Sequence, residues 1–245
     1  MTDTNNKVGL IAAAVGILIG GGAVALYQGN QAGGGSSKHE IEQTVRSYLL
    51  EHPEVLQEAS QRLQQREMGK AVTASRAAFE TPFAGAWAGA ANGDVTLVEF
   101  FDYACGYCRK SNGDVERLLR EDPRLKVVWR EWPVLGQDSE KAAVVSLAAA
   151  QTGTYRKFFE SLFSAGRPTP DAVARAQAAA GVSDQAVAQL RASPALRAEI
   201  AKNHQLALSV GASGTPTFVV GNEVLQGAVG YDTLKDAITK ARSGA

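Results

Sequence analysis

Sulfur is scarce in this chain of 245 residues, which holds two cysteines and two methionines. Two cysteines rule out a scaffold held by several disulfides. The three histidines, His39, His52 and His204, are not at metal-ligand spacing, so a zinc site lacks its remaining ligands. Charge of one sign is missing too: 25 basic and 25 acidic residues cancel, and without a basic patch nucleic acid is not an expected partner. No internal repeat marks a solenoid. Long apolar runs are confined to residues 8–26, which carry no charge and follow Lys7.

The two cysteines stand together as Cys105-Gly106-Tyr107-Cys108, directly after the strand-like run Val95-Thr96-Leu97-Val98-Glu99-Phe100-Phe101. After them, Val115, Leu118 and Leu119 recur at helical spacing. The order strand, CxxC, helix puts the pair at a helix N-terminus, where unpaired N–H groups and the helix dipole stabilise a thiolate relative to a thiol. Cys105 is expected to be the more exposed sulfur and to attack; Cys108, one turn inward, resolves. A purely structural disulfide is the bland alternative, but so short a loop removes little entropy from the unfolded chain.

Glu99 interrupts an apolar strand, and a buried charge is costly unless it is neutralised or paired. Leu97, Glu99 and Phe101 share one face while Val98 and Phe100 share the other, so the carboxyl is expected to point inward; the alternative is that it faces water. Downstream, Gly214-Thr215-Pro216-Thr217-Phe218-Val219-Val220-Gly221 sets a proline ahead of a second strand-like run. By itself that motif reads as an ordinary trans proline entering a strand.

FFDYACGYC and GTPTFVVG, in this order, resemble the DsbA-like branch of the thioredoxin superfamily. The resemblance implies an α/β thioredoxin fold with an inserted helical domain. It also implies a cis Thr215-Pro216 bond packed against the cysteines, with the Thr215 backbone pairing to an extended substrate. Glu99 matches the family's buried acid and would take the proton of Cys108. Gly106 and Tyr107 would lie in the substrate contact. No cofactor and no metal is implied. The expected activity is thiol-disulfide exchange, as formation, reduction or isomerisation of disulfides. Gly106-Tyr107 with threonine before the proline is more similar to periplasmic isomerases than to strong oxidases. Two other classes stay open: a redox-active holdase that binds clients in the groove, and a copper-handling thiolate protein.

The chain divides by pattern. Residues 1–27 form a signal anchor or a signal peptide, the latter with Ala23-Val24-Ala25 as cleavage site. Residues 28–38, with Gly33-Gly34-Gly35-Ser36-Ser37, form a flexible tether. Residues 39–76 are a helical extension, with Ile41, Val45 and Leu49 on one stripe and Leu56, Ala59 and Leu63 on the next after Pro53; this stripe packs on the domain or self-associates as a homo-oligomer. Residues 77–137 and 211–245 are the two thioredoxin-like parts, around a helical insertion at 138–210. Within them a strand is expected at 125–131, a hairpin turning at Gly221-Asn222, a final helix over 231–241 and an early strand over 79–87. In the insertion, Asp138 or Ser139, Thr169, Ser183 and Ser193 read as helix N-caps, the second and fourth followed by proline. Roughly 170 residues remain for a two-lobed core. An exported, oxidising location is expected, the periplasm with the inner membrane as anchor. Its expected partners are cysteine-containing exported polypeptides and a membrane redox protein.

Overall fold

The computed structural model describes residues 38–244. The apolar run 8–26 and all of the tether but Lys38 lie outside the described residues. Among the described residues no helix is long and apolar enough to cross a membrane. By internal contacts the chain separates into residues 1–60 and 61–245.

In the first unit, α1 spans Lys38–Glu51 and buries nothing. It starts at Lys38, so that residue is helical rather than part of a tether. Pro53, which cannot continue a helix from within, separates α1 from α2, Glu54–Ala74, which begins in this unit. Ile41, Val45, Tyr48 and Leu56 are all exposed.

In the second unit a short helix α3, Arg76–Glu80, precedes β1, Trp87–Gly89. The early strand expected over 79–87 is therefore misplaced. Phe79 is helical, and only the three residues from Trp87 pair, antiparallel, with the next strand's neighbour. The reason is tertiary: the carbonyls of Ala78, Phe79 and Thr81 turn inward to accept from the Arg130 guanidinium and are not free for a ladder.

The remaining elements follow the apolar patterning. β2 is Val95–Phe101, α4 Gly106–Glu121 and β3 Leu125–Glu131. Five helices then run consecutively: α5 Gln137–Gln151, α6 Tyr155–Ala165, α7 Pro170–Ala180, α8 Asp184–Ala192 and α9 Pro194–Ser209. β4 Thr217–Val220, β5 Glu223–Gln226 and α10 Tyr231–Ser243 close the described chain. The sheet has five strands in the order β1-β3-β2-β4-β5. β2 runs parallel to β3 and antiparallel to β4, with Glu99 opposite Trp129 on one side and Phe218 on the other. The β4–β5 turn needs Gly221: its φ is +57°, and a Cβ there would come within 2.8 Å of the Ala241 Cβ.

Both faces of the sheet are covered, which is why β2 and β3 bury nearly every residue. Leu97, Phe101, Trp129 and Phe218 pack into one core with Val115 of α4, Phe159 of α6 and Ile238 of α10. Val98, Phe100 and Val128 pack on the opposite face with Val72 of α2, Phe79 and Leu206 of α9. The insertion's caps form where the side chains suit them: Thr169 accepts from Ala172 N, Ser183 from Ala186 N and Ser193 from Ala195 N. α5 departs from expectation. Its N-cap is Gly136 at φ +109°, and Asp138 sits inside the first turn, where its charge favours the positive helix end without capping it.

Candidate active site

The active-site loop is built by the end of β2. The Asp102 backbone oxygen accepts from Cys105 N at 3.0 Å, turning the chain so that Cys105 becomes the N-cap of α4. In that position its Sγ accepts from Cys108 N at 3.4 Å, as an N-cap oxygen would in an ordinary helix. Both cysteines are free thiols. Cys105 is 7% exposed and Cys108 is sealed at 0%, so only the first can be reached from outside without movement. Tyr107, between them, is 68% exposed. A Cβ at Gly106 would meet nothing within 4 Å, so there is open space beside that residue of the loop.

The second motif meets the first across the sheet. The Thr215-Pro216 peptide is cis. The Cys105 Sγ donates to the Thr215 carbonyl oxygen at 3.2 Å, joining residues 110 positions apart. The Thr217 hydroxyl, donating to Gly214 O at 2.8 Å, ties the same loop to the start of β4.

Glu99 faces inward and is buried, and Trp129 Nε1 donates to its Oε2 at 3.1 Å. Burial raises its carboxyl from 4.5 to about 8; the Trp129 hydrogen bond opposes that shift and the Glu116 carboxylate adds to it. Burial likewise pushes the Cys108 thiol well up, with the Glu99 carboxylate as the next cause. A negative charge on Glu99 therefore disfavours a second one on the Cys108 sulfur. A group near 8 can take a proton at neutral pH and return it.

Several residues of this neighbourhood carry no signal that sequence reasoning used. Asp102 is buried between Phe101 and Tyr103. Its Oδ1 accepts from Ala104 N at 2.7 Å, while Oδ2 accepts from Val134 N at 2.8 Å and Leu135 N at 3.0 Å. A charged residue directly after a strand buried on both faces was a usable sign. Tyr103 hydrogen bonds with Ser146 at 2.8 Å, and Tyr155 donates to Glu131 at 3.4 Å, which binds the loop and β3 to the inserted helices. Burial raises the Glu131 carboxyl as well. Among the described residues no group of His, Cys, Asp and Glu is placed to hold a metal.

Comparison with known proteins agrees with this geometry. The copper resistance protein ScsC N-terminal domain family matches residues 38–68. A thioredoxin-like oxidoreductase from Silicibacter pomeroyi DSS-3 is 38% identical, over 69% of this chain and 99% of that one, with a TM-score of 0.65. A periplasmic thioredoxin-like protein from Salmonella enterica serovar Typhimurium is 28% identical, over 69% and 95% of the two chains, with a TM-score of 0.59. A curated relative, the Na(+)/H(+) antiporter NhaA 1 of Salinispora arenicola, is 29% identical over 157 residues, 61% of this chain; the chain spans 24% of that relative's length. The DSBA-like thioredoxin domain family matches residues 96–239, a stretch that takes in Glu99, both cysteines, the cis proline and most of the last helix, and the chain belongs to that family.

Proposed function

We propose that the chain is a protein thiol-disulfide oxidoreductase that exchanges disulfides with cysteine-containing exported polypeptides through Cys105 and Cys108. The observation that carries this reading is Cys105 Sγ, capping α4 and lying 3.2 Å from the Thr215 carbonyl oxygen, with Cys108 sealed beneath it. In the reducing direction the Cys105 thiolate attacks one sulfur of a client disulfide. A Cys105-client disulfide forms and the client's other sulfur leaves as a thiolate, which takes a proton from water. Glu99, in its ionised form, then accepts the Cys108 proton, and the Cys108 thiolate attacks the Cys105 sulfur. The Cys105-Cys108 disulfide forms, the second client sulfur departs, and two electrons have passed to the client. Oxidation is the same path reversed. The Thr215 backbone, with Gly106, Tyr107 and Pro216 around it, holds the client segment beside Cys105.

Direction follows from the reduction potential, which spans from about −270 mV to about −120 mV among related folds. The Gly106-Tyr107 dipeptide supplies no histidine to stabilise the thiolate, which favours isomerase or reductase work over strong oxidation. The test is the Cys105-Cys108 potential measured beside refolding of a scrambled-disulfide protein. Refolding activity supports isomerisation; a strongly oxidising potential without it assigns an oxidase instead.

A periplasmic site is supported by the uncharged residues 8–26 and by the likeness to a periplasmic thioredoxin-like protein. On this reading residues 1–27 anchor or export the chain, 28–37 tether it, and a membrane redox protein resets the cysteines. Exposed Ile41, Val45 and Tyr48 on α1 support self-association through residues 39–76. The match of residues 38–68 to a copper resistance protein's N-terminal domain favours a second reading, in which the thiolate pair handles copper. Stoichiometric copper lost in the double cysteine variant would support it.

A further inference from the structure

Arg156, in the first turn of α6, has no part in the exchange steps above, yet it is joined to Glu99 through a single side chain. Its guanidinium lies 4.9 Å from the centre of the Trp129 ring, and the same indole donates to Glu99 Oε2 at 3.1 Å. Arg156 also faces Glu116 of α4: Nη2 donates to Oε2 at 2.8 Å, and Nη1 lies 2.8 Å from Oε1. Those last two atoms are shut off from water, although the two side chains are 29% and 24% exposed. Nη2 donates in addition to Glu160, one turn on in α6.

A guanidinium held over an indole face by a carboxylate fork fixes where the ring's N–H points. Glu116 acts on Glu99 in its own right: after burial and the opposing Trp129 hydrogen bond, its charge is the remaining cause that raises the Glu99 carboxyl. Charge acts strongly across an interior poor in water. The titratable and charged groups around Glu99 are Cys108 and Glu116 of α4 and Tyr155 of α6, with Arg156 behind Trp129. β4 and α10 contribute the apolar Phe218 and Ile238 to the same core, so Arg156 is the cation of this set. At neutral pH a carboxyl that titrates near 8 is mostly protonated, and modest changes in the surrounding charge alter the share ready to accept from Cys108.

Resting on the oxidoreductase reading, with Glu99 as proton acceptor, we infer that Glu116 and Arg156 are positioning residues for the resolving step. Arg156 steadies the Trp129 indole against Glu99 and offsets the charge of Glu116. The balance between the two decides how readily Glu99 is ionised when Cys108 must lose its proton.

The experiment mixes reduced protein with glutathione disulfide in stopped flow. Cys105 attacks and one glutathione leaves; Cys108 then gives its proton to Glu99 and attacks the Cys105 sulfur. The second glutathione leaves as a thiolate that takes a proton from water, so two electrons pass to glutathione and no other reductant is needed. At saturating glutathione disulfide the rate plateau reports resolution, and its pH midpoint is the measured quantity. Glu116→Gln, which removes a like charge and leaves Arg156 in place, is expected to lower the midpoint by about one pH unit, the usual scale of such perturbations. Arg156→Gln, which leaves Glu116 unscreened, is expected to raise it, Arg156→Lys to hold it near the wild type, and the double variant Glu116→Gln with Arg156→Gln to bring it back. Titration of the Glu99 carboxyl by carbon NMR in the same proteins needs no turnover and is expected to show the same shifts. Midpoints that stay put or move the same way in the two single glutamine variants overturn the inference, as does Arg156→Lys shifting as far as Arg156→Gln. A wild-type profile that Glu99→Gln leaves intact overturns Glu99 as the acceptor and the inference with it. A wild type that never forms the Cys105-Cys108 disulfide overturns the oxidoreductase reading itself.

Discussion

Trp129 Nε1 donates to Glu99 Oε2 at 3.1 Å across the parallel pairing of β3 with β2, which places these two residues directly opposite each other. The indole partly compensates a carboxyl taken wholly out of water. It can only donate, so it supports the charged form without removing the need for a proton at neutral pH.

Because the Glu99 carboxyl is raised from 4.5 to about 8 in the folded protein, the native state holds one proton more than the unfolded chain between those values. Its stabilising share is complete below 4.5 and is lost as pH rises through about 8. Glu99→Gln removes that dependence. Unfolding free energies of the wild type should therefore fall relative to those of Glu99→Gln by about 1.4 kcal/mol per pH unit across this window, the slope of one bound proton. Parallel curves for the two proteins would show that Glu99 titrates in the fold as it does in water. In stopped-flow exchange, Glu99→Gln should slow the resolving step by about 10²-fold, within the usual range for losing a positioned base, and leave the first attack nearly unchanged.

The burial difference between Cys105 and Cys108 separates two variants. Cys105→Ser should abolish exchange. Cys108→Ala should accumulate covalent protein-client species, visible on non-reducing gels and released by dithiothreitol. Trapping by Cys105→Ser instead would reverse the assignment of attacking and resolving sulfur.

Arg130 illustrates a buried charge with no part in the exchange chemistry. Nη1 lies 2.9 Å from Glu199 Oε1, and Nη2 caps the carbonyls of Ala78, Phe79 and Thr81. Burial presses the guanidinium downward, and Glu199 opposes that. Glu199→Ala leaves this cation without its carboxylate and should cost about 3–5 kcal/mol in denaturant unfolding. A loss below about 1 kcal/mol would mean that the carbonyl cage alone satisfies Arg130.

If residues 39–76 associate, Ile41→Asp with Val45→Asp should reduce the mass seen by light scattering to that of one 25.8 kDa chain, while exchange of small disulfides persists. A wild type already running as one chain would refute the association.

Much of this architecture is legible without coordinates because the signals are local. The β-branched and aromatic run of β2, the Thr169-Pro170 and Ser193-Pro194 caps and the turn at Gly221 each specify backbone conformation within a few residues. Arg130 is different. Strand alternation sets it opposite Trp129 and suggests solvent on one side; in the structure α3 and α9 cover that side and supply its acceptors. The misplaced early strand has the same origin, since the chain around Phe79 is bent to meet that guanidinium.

The order strand, CxxC, helix determined from sequence that the pair would stand at a helix N-terminus with Cys108 one turn inward, because helical geometry repeats within four residues. Tertiary structure alone decided that Thr215 reaches Cys105, that Glu99 is dry enough to hold its proton to about 8, and that Asp102 binds two separate segments. Those outcomes depend on which strands and helices close over a side chain, and desolvation and long-range hydrogen bonds exist only once distant parts of the chain have packed together.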